Sequence, residues 1–175
     1  MQQLELRVRS WGGRRAGAGR KPSPGRRSVP HRGRPVHDAR CPVHVTLRAQ
    51  PGLPSLREAR LFGAVRAALV AASTNVFRVI HWSVQADHLH MVVEADGHAA
   101  LVRGLQGLTV RTARAVNRAS GRRGTVWGDR YHARALGTPR EVRIGMLYVL
   151  QNWRKHVPGA RGLDPRSSAA WFTGW

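Results

Sequence analysis

From residue 43 the chain alternates apolar and polar side chains, Val43-His44-Val45-Thr46-Leu47-Arg48, the period of a half-buried strand. Gln50-Pro51-Gly52 breaks that run. Ser55 then stands where a helix cap belongs, ahead of Leu61, Val65, Leu69 and Val70, whose spacing predicts a helix to about residue 74. Residues 77–84 are rich in β-branched and aromatic side chains and predict a second strand. Ala86-Asp87 makes a tight turn into a third strand over 88–94. Leu101, Leu105, Leu108 and Ala115 mark one face of a long helix over about 99–119, and 121–124 form a loop. A fourth strand is expected over 130–136. Thr138, Pro139 and Glu141 supply a cap, a first-turn proline and a third-position acid for a last helix. That helix is expected to run to about residue 156, where Pro158-Gly159 stops it; residues 162–175 read as irregular.

The order is β-α-β-β-α-β-α, without internal repeats. Its first six elements follow the split β-α-β pattern of the ferredoxin-like sheet. The expected fold is α+β: an antiparallel sheet with helices on one face and the other face open, plus an extra C-terminal helix. Three segments are expected. Residues 1–41 form a disordered basic arm, rich in Gly, Pro and Arg, with too little apolar surface to offset its chain entropy. Residues 42–157 form the folded domain, and 158–175 an irregular tail.

Charge changes the picture most. Lys and Arg number 30 against 9 acids, for a formal net charge of +21. The excess is not confined to the arm: residues 1–40 hold 11 basic and 2 acidic side chains, residues 41–175 hold 19 and 7. Such a domain repels itself unless a polyanion neutralises it, and nucleic acid is the usual partner; a solvated Arg-rich surface would carry the same numbers. Hydrophobic residues at 42% support a packed core. The single cysteine, Cys41, rules out an internal disulfide framework and points to a reducing compartment. No apolar run is long enough to span a bilayer, and no secretory signal pattern opens the chain. A cytoplasmic protein without a membrane partner is expected.

The candidate chemistry lies in Asp87-His88-Leu89-His90. On a strand, His88 and His90 share a face, one period apart and close enough to share one metal ion. Two ordinary half-exposed histidines on a hairpin fit the same pattern. The chain has two tyrosines, Tyr131 and Tyr148. On the last helix Val142, Met146, Val149 and Trp153 form an apolar stripe, and Tyr148 lies about 100° round from it, with Asn152 one turn on. That suits a phenol presented to a substrate; a plain surface tyrosine is the alternative.

The combination of His-hydrophobic-His on a strand with Tyr-x-x-x-Asn on a C-terminal helix resembles the HUH single-tyrosine transposases, in particular the REP-associated tyrosine transposase branch. The likeness extends to His44, to Val126-Trp127-Gly128-Asp129-Arg130-Tyr131 and to Tyr148-Val149-Leu150-Gln151-Asn152, covering roughly residues 42–157. One position departs: where the branch has proline after the asparagine, this chain has Trp153, so the last helix is free to run to His156. The resemblance implies a ferredoxin-like fold and a bacterial, nucleoid-associated DNA transposase that cuts and rejoins single-stranded or hairpin DNA through a 5′-phosphotyrosine intermediate. It implies Tyr148 as nucleophile, and His88, His90 and Asn152 as ligands of one Mg²⁺ or Mn²⁺. It implies no small-molecule substrate, and a monomer or homodimer.

Other residues are candidates for helping this reaction. Arg48, Arg154 and Lys155 are candidates for activating the phenol. A strand unpaired at the cut can stack its bases on aromatics; Trp82 and Trp127 are the candidates, each equally suited to a core. Arg103, Arg111, Arg114 and Arg118 on the second helix, and Arg122 and Arg123 after it, are candidates for lining the backbone groove, with Arg48 and Lys155. The competing reading is a catalytically inactive, domesticated hairpin-DNA-binding or RNA-binding protein. Histidines where an RNA-binding sheet of this shape carries aromatics argue against the RNA variant. A zinc hydrolase would need a third donor and a base; Glu94 is on the right face for it.

Overall fold

The computed structural model describes residues 35–157 and 159–174. Its elements are β1 (Val43–Arg48), α1 (Ala59–Val70), β2 (Phe77–Val84), β3 (His88–Ala95), α2 (His98–Ser120), β4 (His132–Ala135) and α3 (Pro139–Gln151), with short 3₁₀ turns at Asn152–Lys155 and Ala169–Trp171. The strands form one antiparallel sheet in the order β2-β3-β1-β4. This is the ferredoxin-like arrangement read from the element order. Among the described residues no helix is long and apolar enough to cross a membrane.

Period two sorts the sheet into two faces. Val43, Val45 and Leu47 of β1 and Leu89, Met91 and Val93 of β3 are buried in the main core, against Leu61, Val65 and Leu69 of α1 and Leu101, Leu105 and Leu108 of α2. Each such side chain contributes about 1.5–3 kcal/mol when buried, so most of the apolar stabilisation lies on this side. The other face pairs His44 with Val92, Thr46 with His90 and Arg48 with His88 across β1 and β3. That face is not left open. Helix α3 lies over it, and Val92, Leu136 and Val149 form a second, smaller core flanked by Val142 and Met146. Thus α1 and α2 cover one side of the sheet and α3 the other.

Strand β2 departs from simple alternation. Its pairing with β3 shifts register between Val79 and His81, a β-bulge around Ile80. Before the bulge Phe77 and Val79 face the main core; after it Trp82 and Val84 do. Unbroken alternation would have put Trp82 on the face that carries His90. The bulge instead buries its ring beside Phe62, 5.9 Å between centroids, so Trp82 is no stacking platform for DNA. Trp127 is likewise a core residue, with its indole N–H donated to Thr109 O at 3.1 Å.

Several boundaries differ from the sequence reading. Ser55 does not cap α1; its hydroxyl accepts from Arg57 N in a turn that precedes the helix. The Arg57 guanidinium donates to Val84 O and Asp164, which holds this turn against the sheet. β4 is shorter than expected, because only four of its residues pair with β1. Helix α3 starts as expected, with Thr138 Oγ1 accepting from Glu141 N at 3.2 Å. It ends at Gln151, however, and Asn152–Lys155 tighten into a 3₁₀ turn. Of the expected disordered arm, residues 1–34 lie outside the described residues. Within residues 35–41, His37 is buried, its backbone N–H donates to His98 Nδ1 and its ring to Ala95 O, while most of its neighbours are exposed. The tail is irregular but attached, with Ser168 and Arg166 bonded to the β2 backbone at Trp82 and Val84.

Two glycines of α2 make a test of the main core. A Cβ on Gly104 would fall inside the ring of Phe77, which is buried and has nowhere to move; a Cβ on Gly107 meets nothing. Gly104→Ala is expected to lower unfolding free energy by about 3 kcal/mol. Gly107→Ala is expected to raise it by about 0.5–1 kcal/mol through helix propensity. Urea unfolding of both variants checks the pair, and equal effects would contradict the packing described.

Candidate active site

Strand pairing brings the two motif histidines together. His88 and His90 stand on the face under α3, with ring centroids 4.7 Å apart, edge to face. Each has a partner on one ring nitrogen. His88 Nδ1 lies 2.7 Å from Asp87 Oδ1. His90 Nδ1 lies 3.0 Å from Thr46 Oγ1 and 3.3 Å from His44 Nε2. With Nδ1–H donating to these oxygens, Nε2 of each ring keeps its lone pair. Outer partners of this kind fix the tautomer of metal-binding histidines.

Tyr148 reaches the same place from α3. Its ring packs edge-on against His90 at 5.2 Å and against His44 at 5.5 Å. It is 37% exposed, so the phenol stands at the surface over the imidazoles and not in the apolar interior. Val149, next in the chain, is fully buried and anchors the helix on the sheet. The Lys155 ammonium sits 4.3 Å from the centre of the Tyr148 ring.

Asn152 opens the 3₁₀ turn, still in helical conformation and so one turn beyond Tyr148. It is 1% exposed, and neither amide atom has a hydrogen-bond partner. A buried amide without partners costs about 1–3 kcal/mol per group, so the side chain is left with hydrogen-bonding capacity that the fold does not use. Among the described residues no three His, Cys, Asp or Glu side chains are arranged to hold an ion. His88 and His90 supply two imidazole donors on one strand, and Asn152, one turn on from Tyr148, carries an amide oxygen without a partner. Two oriented imidazoles and an unsatisfied amide fit a small divalent cation.

The electrostatics favour neutral rings at His90 and His44. Burial, reinforced by His88, His44, His156 and Lys155, depresses the His90 pKa to about 3. Burial also lowers that of His44, with His132 and Arg134 adding to it. The hydrogen bond from His88 holds Asp87 below the usual carboxylate range. In the unfolded chain these histidines take up protons near pH 6.5. The folded metal-free protein resists protonation there, so acid favours unfolding. Stability is expected to fall as pH drops from about 6.5 toward 4, by on the order of 3 kcal/mol from His90. Urea midpoints of chelator-treated protein measure this. A His90→Leu variant with an equally steep loss would contradict the assignment.

The remaining candidates divide between two sides. Arg48 is at the site, on the same face as His88, and pairs with Asp87 at 3.4 Å. Lys155 is at the site over Tyr148. Arg154 is turned to Gly162 O. Arg103, Arg111, Arg114 and Arg118 belong to α2 and lie beyond the sheet from Tyr148, so they do not line a groove leading to it. Arg122 donates to Gly52 O, and Arg123 is exposed in the same loop. Glu94 pairs with Arg78 at 3.5 Å.

Three neighbours take roles that were not read from the sequence. Thr46, expected on the same polar face, and Asp87, the first residue of the motif, orient the imidazoles. His156 packs against His88 at 5.1 Å. Its signal was the spacing of four in Tyr148, Asn152 and His156. A pocket of 430 Å³ opens beside Tyr148 between β4 and α3, lined by His44, His132, Arg134, Leu136 and Ile144 among others.

Comparison with known proteins bears on the family and the fold. A family model described as transposase, IS200 like, matches residues 64–152. Among solved structures, that of a REP-associated tyrosine transposase bound to a REP hairpin superposes with a TM-score of 0.66 at 15% identity, covering 82% of this chain and 84% of that one. A candidate transposase from Deinococcus radiodurans R1 superposes with a TM-score of 0.47 at 14% identity, over 66% of this chain and 88% of that one. No curated protein sequence matches the chain.

Proposed function

We propose, from the premise that this chain belongs to the IS200-like transposases and so acts on DNA, that it cuts and rejoins a DNA strand with Tyr148 as its nucleophile. The observation that carries the reading is the meeting of Tyr148 with His90 and His88 on one sheet face, one turn from an unpartnered Asn152. The solved structure with the same fold holds a REP hairpin. That supports a single strand bearing a hairpin as the substrate here.

In this reading the Tyr148 oxygen attacks the scissile phosphorus. A Tyr–O–P bond forms as the phenol gives up its proton to solvent, the bond to the 3′ oxygen breaks, and that oxygen takes a proton from solvent to leave as a hydroxyl. A phenol is almost wholly protonated at neutral pH, so it needs help to react. Lys155, above the ring, stabilises the negative charge that develops as the phenolic proton leaves. Arg48, at the His88 end of the site, adds positive charge for the phosphate. His44 and His90 wall the ring on its inner side and hold the attack direction. His88, His90 and Asn152 would hold one Mg²⁺ or Mn²⁺, which when bound supplies positive charge at a non-bridging phosphate oxygen. The 5′-phosphotyrosine keeps the energy of the broken phosphodiester, so a 3′-hydroxyl can displace the tyrosine and rejoin the strand without a nucleotide cofactor.

The reading is tested by mixing purified protein with a hairpin-bearing single strand, with Mn²⁺ or with chelator, and resolving the products on a denaturing gel. A protein–DNA adduct is expected only with the metal. Adduct formation undiminished by chelator would overturn the metal assignment. No adduct under any divalent metal would leave the inactive hairpin-binding protein.

A further inference from the structure

We infer that the groove between α1 and α2 binds the phosphate backbone of double-stranded DNA, apart from the strand that reaches Tyr148. The inference uses the family's action on DNA but not the Tyr148 chemistry. Arg60 of α1 and Arg111, Arg114 and Arg118 of α2 line a groove of 540 Å³ on the helix side of the sheet. Its floor is alanine from both helices, including Ala64, Ala71 and Ala115.

Three features select the occupant. First, the charge is unopposed. Neither helix carries an acidic side chain, and among the described residues none of the four arginines is in an ion pair. Second, the charge is aligned. At about 100° per residue the arginines of α2, Arg103 included, fall within about 80° of one another, and at 1.5 Å rise they extend over about 22 Å. Duplex DNA presents one phosphate per about 1.7 Å of its axis, enough to meet each of them. Third, the groove has no aromatic lining. Unpaired strands are held by stacking bases on aromatics, whereas backbone contact alone suits a duplex. The sheet stands between this groove and Tyr148, so the two sites take different stretches of DNA: a paired stem or flank here, the unpaired cut region there.

The experiment compares a hairpin-bearing strand with the same single strand lacking its stem. The full chain is used with Arg111, Arg114 and Arg118 all changed to Gln, and with a control carrying the same loss of charge at Arg130, Arg140 and Arg161, exposed side chains outside the groove. For the groove variant, affinity for the hairpin is expected to fall at least tenfold. The slope of log affinity against log salt should shrink by about 2.7, from roughly 0.9 per lost phosphate contact. Affinity and adduct yield on the stemless strand should change less than twofold, and the control should keep hairpin affinity within threefold. Equal losses on both substrates, a control as weak as the groove variant, or no loss at all would overturn the inference. Binding is read without cleavage, so a wild type that forms no adduct removes the Tyr148 reading and leaves this comparison intact.

Discussion

Tyr148→Phe is expected to lower covalent adduct formation at least about a thousandfold, while hairpin binding stays within twofold. The substitution removes one oxygen. The ring keeps its edge contacts with His90 and His44 and its place under Lys155, so folding and the neighbouring imidazoles are not disturbed. Losing a nucleophile from a covalent mechanism leaves only binding and charge stabilisation, and losses of several orders of magnitude follow. Tyr131→Phe is the internal control. Tyr131 packs against the main core, on the other side of the sheet from the histidines, and its loss should leave adduct yield within twofold. A Tyr148→Phe protein that still forms adduct at a tenth of the wild-type rate would remove the nucleophile assignment.

Asp164→Ala is expected to destabilise the protein by about 3 kcal/mol, the low end of the cost of breaking a buried pair, because the Arg57 side chain is partly exposed. The Asp164 carboxylate is fully buried and accepts both terminal nitrogens of Arg57, at 3.0 and 2.7 Å, as well as Arg166 N at 2.9 Å. It ties the tail to the turn before α1 and, through Arg57, to the last residue of β2. Replacing both partners, as in Arg57→Met with Asp164→Leu, should recover more than half of the loss, because the uncompensated charge disappears with its partner. Chemical denaturation of the single and double variants measures both effects. A single variant within 1 kcal/mol of wild type would show that the tail is not held by this pair.

Much of the domain was legible because its signals are local. β1 and β2 lie where the period-two and β-branched runs placed them, and the Thr138 cap of α3 forms as its sequence predicts. The two motif histidines share a face because nothing interrupts β3. What stayed hidden depends on long-range pairing. The bulge near Ile80 leaves no mark in composition, yet it turns Trp82 from the site face into the main core. Periodicity aligned the arginines of α2 without telling which side of the sheet they would occupy. Arg60, 51 residues before Arg111 in the chain, joins them only through the packing of α1 on α2. Residues 162–174 have no period, and they are held by one buried acid and hydrogen bonds to an edge strand. For the site, the spacing of Tyr148 and Asn152 was readable. That the amide of Asn152 is buried without partners was not, because it depends on how the chain tightens after Gln151.

The most direct measurement is to locate the covalent bond. Wild-type protein is reacted with a hairpin-bearing strand and Mn²⁺, digested with protease and nuclease, and its peptides are weighed and fragmented. A nucleotide remnant on Tyr148, joined through the phosphate at its 5′ end, is the predicted result. A remnant on Tyr131 or on any other side chain would contradict the account.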